Sequence, residues 1–138
     1  MGALVQADIH ARRGEAAAAL EALTQGKAGF GRLEIEEGLN REFEGRVLRL
    51  LGRLDGALAA LEEGLGLAAN FPVEAAWLWN ELVLTHQARG DRDAALAAAR
   101  HAIDTFEALG APRMVDAVRA LAGMPPHVPW PAGAKPLP

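Results

Sequence analysis

The side chains best suited to chemistry in this sequence of 138 residues are four histidines, 18 Asp and Glu residues and 14 Lys and Arg residues. No Ser or Cys occurs, so neither a serine triad nor a cysteine nucleophile can be formed. No two histidines lie four residues apart or in an HExxH-like frame, which is the pattern of a helical zinc site. The four are His10, His86, His101 and His127. The sequence therefore predicts no catalytic residue, no metal, no cofactor, and a protein that is not an enzyme.

The carboxylates are spaced as on solvated helix faces. Glu42, for example, precedes Arg46 by four residues, which places the two side chains beside each other on a helix. A hydrolase with two working carboxylates needs a pair with separated pKa values in one pocket, and no spacing here selects a pair. The glycines at 26, 29 and 31 follow no predicted strand, so they do not form a phosphate-binding loop.

Charge and hydropathy exclude two classes of partner. The formal net charge is -4, and both signs are interspersed along the chain, whereas a nucleic-acid-binding protein usually carries a basic patch. The N-terminus lacks the basic and apolar regions of a signal peptide. The longest apolar stretch, residues 75–84, is interrupted by Asn80 and Glu81, so no membrane span is predicted. We expect a cytoplasmic protein that contacts neither nucleic acid nor membrane.

The apolar residues are mainly good helix formers. The sequence contains 30 Ala and 20 Leu but only 7 Val, 3 Ile and no Tyr. Because strands favour β-branched and aromatic residues, this composition predicts an all-α fold.

An internal repeat organises the chain. Gly14, Gly52 and Gly90 are evenly spaced along the sequence, and each begins a similar run. In register, each run places an Ala before a Leu and a small residue further on, at helical spacing. These positions are Ala19, Ala57 and Ala95, then Leu20, Leu58 and Leu96, and then Gly26, Gly64 and Ala102. Small residues at this spacing predict close approach between helices.

The repeat boundaries predict seven helices. Each repeat glycine follows an apolar-periodic segment, as expected of the positive-φ residue that ends a helix. Asp91 and Asp93 place negative charge at the start of the next helix, and Pro72 and Pro112 fit first turns. The predicted segments are 2–13, 15–28, 34–51, 54–69, 72–89, 91–109 and 112–122.

The third unit resembles the tetratricopeptide repeat, a 34-residue helix pair with the pattern W-x2-L-G-x2-Y, then A-x3-F and later P. Trp79 and Leu82 match its Trp and Leu, Gly90 matches the turn, and Ala95 and Ala102 match the small positions. The unit departs from the pattern at Val83, His86 and Ala99.

The second unit retains the small positions but carries Arg41 and Glu44 in place of Trp and Leu. The interval between the repeat glycines is longer than the standard unit of this family, and it is similar to that of the extended repeats in large bacterial transcription activators. The resemblance implies a right-handed α-α superhelix of about three helix pairs plus a short C-terminal helix over residues 1–123, followed by a Pro-rich tail over 124–138.

The resemblance also implies a function, which is binding of a peptide or partner protein in the concave groove of the superhelix. One face of the first helix in each pair lines that groove. An alternative interpretation is a structural module that forms a homodimer through its exposed apolar edges, and a weaker one is a helical enzyme domain. The face carried over to this sequence comprises Asp8, Arg12, Glu42, Phe43, Arg46, Arg49, Trp77, Asn80, Glu81, Leu84 and Gln87. The competing interpretation is that Trp77 packs under a neighbouring helix and that Arg46 and Arg49 only pair with nearby Glu residues.

The tail contains six Pro in 15 residues and cannot continue a helix. Trp130 lies between Pro129 and Pro131, and exposing a lone indole to water is unfavourable. One interpretation of the tail is a linker or a frayed end. A more specific hypothesis is that Trp130 docks onto the repeat domain or a neighbouring copy.

Overall fold

The computed structural model describes residues 3–28 and 34–125, and within them the fold is all-α without strands. The predicted helices are confirmed, with every boundary inside the described residues within two positions of the prediction. The helices are α1 (Ala3–Arg12), α2 (Ala16–Ala28), α3 (Glu34–Leu50), α4 (Leu54–Leu67), α5 (Pro72–Ala88), α6 (Arg92–Ala108) and α7 (Pro112–Leu121).

The even spacing of the repeat is present in the helix boundaries. α2, α4 and α6 begin at residues 16, 54 and 92, and α1, α3 and α5 end at residues 12, 50 and 88. The predicted positive-φ glycines separate the paired helices, with φ of 74° at Gly14, 76° at Gly52 and 79° at Gly90. At the second turn, Gly52 N–H donates to the Arg49 carbonyl at 2.9 Å and Arg53 N–H donates to the Leu48 carbonyl at 2.8 Å. This pair of hydrogen bonds is the Schellman motif, which satisfies the last carbonyls of a helix.

The helices pair along the chain and then contact the next pair. α1 packs with α2, α3 with α4, and α5 with α6, and these are the most extensive helix contacts. Between pairs, α1 contacts α3, α3 contacts α5, and α5 contacts α7. The second helix of each pair also contacts the first helix of the following one. The first helices α1, α3 and α5 therefore form a row in which each contacts its neighbour.

The buried apolar residues form two clusters. One lies between α4, α5, α6 and α7 and includes Leu61, Leu78 and Phe106. The other lies between α1, α2 and α3 and includes Leu23 and Val47. The repeat alanines at 19, 57 and 95 are all buried, as the register predicts. In α3 the buried set also includes two glutamates, so polar contacts must contribute to holding the pairs together.

Two glycines allow the helices to approach closely. A Cβ atom at Gly45 in α3 would lie 2.5 Å from the Leu61 side chain of α4. A Cβ atom at Gly64 would lie 2.8 Å both from Arg41 Cβ and from a methyl of Leu78. Any larger residue would therefore push α4 away from α3 and α5. Gly64 occupies one of the small positions of the repeat, so the close approach predicted there is confirmed.

Within the described ranges, no helix combines the length and apolarity needed to cross a bilayer. The tail beyond Pro125, including His127 and Trp130, lies outside the described residues, as do Gly29 and Gly31.

Candidate functional site

Six of the predicted groove residues form a single ionic network that joins α1, α3 and α5. We call it the arginine–carboxylate cluster. Three carboxylates meet three guanidinium groups in it, so its formal charges cancel. Its members are Asp8 and Arg12 from α1, Glu42, Arg46 and Arg49 from α3, and Glu81 from α5.

Glu81 is the centre of this cluster. Its side chain is only 7% exposed and accepts two hydrogen bonds from α3, one from Arg46 Nε at 3.1 Å and one from Arg49 Nε at 3.2 Å. Arg46 and Arg49 lie three residues apart and therefore on the same helix face. A buried carboxylate of this kind is stable as an anion only when cations and donors replace its lost hydration. Glu81 thus links α5 to α3 through two charged hydrogen bonds.

Arg46 contacts carboxylates from three helices. Besides Glu81, its Nη2 donates to Glu42 Oε1 at 2.7 Å, which is the i, i+4 pair predicted from the sequence. Its Nη1 lies 3.9 Å from Asp8 Oδ1 of α1, while the other oxygen of Asp8 accepts from Arg12 Nε at 2.9 Å. Arg46 therefore connects all three first helices.

Burial and neighbouring charge alter two ionisations in the cluster. Burial raises the pKa of Glu42 above its ordinary value of 4.5, and the nearby Glu81 carboxylate raises it further, although Arg46 acts in the opposite direction. Burial alone would lower the pKa of Arg46, but the surrounding Glu81, Glu42 and Asp8 carboxylates raise it overall. Arg46 thus stays cationic, and the pKa of Glu42 lies above its ordinary value.

Arg49 has fewer carboxylate partners than Arg46. Nε of Arg49 is bound to Glu81, and its side chain is 18% exposed. Among the described side chains, Glu81 is the only carboxylate partner of Arg49. The Arg49 guanidinium is therefore held by one carboxylate, whereas that of Arg46 contacts three.

The remaining predicted groove residues have different surroundings. Phe43 is half-buried and lies under the Arg46 guanidinium, 5.0 Å from ring centroid to Cζ, a cation–π contact. Trp77 is half-buried and packs its ring edge-on against Phe106 of α6, with 5.6 Å between centroids, at the side of the apolar cluster of α4 to α7. Gln87 donates from Nε2 to the Leu121 carbonyl at 2.8 Å and so joins the ends of α5 and α7.

Asn80 and Leu84 are half-buried residues of α5. Together with Phe43, they give the row of first helices amide and apolar surface beside the arginine–carboxylate cluster.

The structure also explains the departure of the second unit from the repeat pattern. In the third unit, Trp79 of α5 stacks on His101 of α6 with 4.2 Å between ring centroids and 11° between planes. The equivalent residues of the second unit are Arg41 and Glu63, and Arg41 Nη2 donates to Glu63 Oε1 at 3.1 Å. An ionic contact thus replaces a stacked pair at the same place between the paired helices.

The same replacement occurs within the first helix of the pair. Leu82 is buried in the third unit, and its equivalent in the second unit is the buried Glu44, which accepts from Arg41 Nη1 at 2.8 Å. Arg41 and Glu44 were visible in the sequence only as departures from the pattern. The spacing of three residues between these opposite charges was the signal that could have identified the pair.

In the part of the chain that the structure describes, no three His, Asp or Glu side chains are placed to hold a metal ion. Comparisons with protein-family models, with curated proteins and with solved structures find no match.

Proposed function

We propose that this chain is a tetratricopeptide-like helical repeat domain that binds an extended segment of a partner protein. In this proposal the helix pairs stack into a right-handed superhelix, and the row of first helices lines its concave groove. The segment lies along α1, α3 and α5, and it carries carboxylate groups that Arg49 and Arg12 recognise.

The order of helix contacts supports the repeat architecture. Each first helix contacts both helices of the preceding pair: α3 contacts α1 and α2, and α5 contacts α3 and α4. This is the stacking expected when every repeat buries its apolar face against the next one. The ends of the first helices, the starts of the second helices and the turn glycines all recur at the same interval, as expected of a repeated helix pair.

The proposed binding role rests mainly on the contacts of the Arg49 guanidinium. Its Nε bond to Glu81 orients the guanidinium before any ligand arrives, and Glu81 is its one carboxylate partner among the described side chains. A pre-oriented guanidinium donates two parallel hydrogen bonds to a carboxylate with little further loss of side-chain entropy. The side chain of Arg12, 56% exposed, adds a second cation at the α1 end of the row.

The apolar and amide groups of α3 and α5 support the same proposal. Phe43, Leu84 and Asn80 are each half-buried, so each presents part of its surface. An aromatic ring and an aliphatic side chain offer contact area to the side chains of a ligand. The Asn80 amide both donates and accepts hydrogen bonds, which suits the backbone of an extended segment.

Peptide selection tests this proposal. A random peptide library is selected on the immobilised chain, and the affinity of a recovered peptide is measured by calorimetry for wild type, Arg49→Gln and Arg100→Gln. Arg100 is an exposed arginine of α6 and serves as the matched control. We expect acidic peptides, and a loss of about 10-fold or more in affinity for Arg49→Gln, because a charged hydrogen-bond pair contributes about 1.5–3 kcal/mol.

Two results would contradict the proposal. Either the selection recovers no acidic peptide, or Arg49→Gln and Arg100→Gln reduce the affinity equally. Far-ultraviolet circular dichroism of each variant shows that the helices are retained.

A further inference from the structure

A cleft lies at the turn between α6 and α7, outside the proposed groove. It has a volume of about 290 Å³ and is lined by Glu107, Gly110, Ala111, Pro112, Val115 and Asp116. Ala111, Pro112 and Val115 supply apolar surface, and the carboxylates of Glu107 and Asp116 are exposed. Leu109, next to the cleft, is one of two large apolar residues that are strongly exposed in the described ranges, at 43%. The cleft therefore suits an apolar group accompanied by a cation.

As far as Pro125, the chain that follows α7 stays in contact with this helix. Gly123 has a φ of 70° and ends α7. Met124 then packs against the apolar cluster of α4 to α7, and the Pro125 carbonyl accepts from Arg119 Nη1 at 3.4 Å. Residue 126 therefore follows a residue that is bound to the last turn of α7.

The length of the tail matches the distance to the cleft. The cleft lies at the first turn of α7, and the ten residues of α7 span about 15 Å at 1.5 Å per residue. The five Cα-to-Cα steps from Pro125 to Trp130 span at most about 17 Å when extended. Trp130 is therefore close enough to enter the cleft if the tail returns along α7.

The composition of the tail complements the cleft. Trp130 is the only aromatic residue after Phe106, and Lys135 is the only Lys or Arg after Arg119. An indole buries about 150–250 Å² when it docks, and Lys135 brings a cation to a rim that carries two carboxylates. We propose that the segment 128–135 of this chain docks in the α6–α7 cleft, with Trp130 against Val115 and Pro112 and with Lys135 beside Glu107 and Asp116.

Paramagnetic NMR on the full chain tests this proposal. Because the sequence has no cysteine, Ala134→Cys provides a single attachment point for a nitroxide spin label. We expect the amide signals of Gly110 and Asp116 to lose most of their intensity in the labelled chain, while Gly14 and Gly52, at other turns, keep theirs. Adding Trp130→Ala should restore the lost intensity, and adding Trp130→Phe should restore less of it, since Phe still offers an aromatic ring.

Two further measurements show which chain supplies the docked segment and whether the charges beside the cleft contribute to docking. In a second sample, spin-labelled chain that contains no ¹⁵N is mixed with ¹⁵N-labelled chain that carries no spin label. We expect the amide signals to keep their intensity in this sample, because the tail docks on its own chain. The double variant Glu107→Lys, Asp116→Lys should recover intensity at Gly110, whereas Asp93→Lys, an exposed control, should not. The proposal is overturned if the signals of Gly110 and Asp116 are unchanged in the spin-labelled chain, or if Trp130→Ala does not restore their intensity. It is also overturned if intensity is lost in the mixed sample, or if the double variant with Lys at 107 and 116 has no effect.

Discussion

Removal of the Glu81 carboxylate is expected to destabilise the protein strongly. Glu81→Ala deletes the acceptor of two charged hydrogen bonds, from Arg46 and from Arg49, at a site that is 7% exposed. Breaking a buried ion pair by removing one partner costs about 3–5 kcal/mol. In the Glu81→Ala variant, Arg46 still contacts Glu42 and Asp8, and both arginines are about one-fifth exposed. Water and the other carboxylates therefore offset part of this free-energy cost. We therefore expect a loss of about 2 kcal/mol in the free energy of unfolding.

Urea unfolding followed by far-ultraviolet circular dichroism measures this loss. A cost of about 2 kcal/mol corresponds to a decrease of about 6 °C in Tm for a chain of this size. The matched control is Glu63→Ala, which removes a carboxylate that is 60% exposed and paired with Arg41, and its cost should lie below about 1 kcal/mol. Equal costs for the two variants would refute the structural role of Glu81. A double-mutant cycle between Glu81→Gln and Arg49→Gln should give a coupling of about 1 kcal/mol.

Three further predictions follow from individual contacts. Burial raises the pKa of Glu42 above 4.5, so folding favours its protonated form. Wild type should therefore gain stability relative to Glu42→Gln as the pH falls from 7 towards 4.5. Urea titrations at several pH values measure this difference, and a relative loss of wild-type stability on acidification would contradict the prediction. Gly64→Ala should cost about 1–2 kcal/mol by overpacking, whereas Gly66→Ala, whose Cβ would meet nothing within 4 Å, should stabilise by about 0.5–1 kcal/mol; thermal unfolding of the two variants compares them, and the same sign for both would be inconsistent with the packing. The side chain of Asp91 accepts from Ala94 N–H at 3.1 Å as the N-cap of α6, so Asp91→Ala should cost about 1 kcal/mol in thermal unfolding, and a cost no larger than that of Asp93→Ala would refute the cap.

The helices were predictable because their signals are local. The repeat glycines lie at positive φ, and Pro72 and Pro112 begin α5 and α7, as their backbone preferences require. The alanines at the repeat position after each turn are buried because a small residue is needed where helices meet. Composition and the regular interval of the repeat were sufficient for this level of description.

The chemistry of the candidate site was predictable only in part. Glu42 and Arg46 lie four residues apart in one helix, so their pairing followed from sequence spacing. The contacts of Glu81 with Arg46 and Arg49 join residues more than 30 positions apart, and no local pattern encodes which side of a helix faces its neighbour at that point. The edge-on contact of Trp77 with Phe106 likewise depends on how α5 packs on α6.

The most direct test of the proposed binding role is NMR mapping of a selected acidic peptide on the uniformly ¹⁵N-labelled full chain. The proposal predicts that amide shift changes concentrate on α3 and α5 around Phe43, Arg49 and Leu84 and extend to Arg12 of α1. Shift changes confined to α4 and α6, the second helices of their pairs, would contradict it.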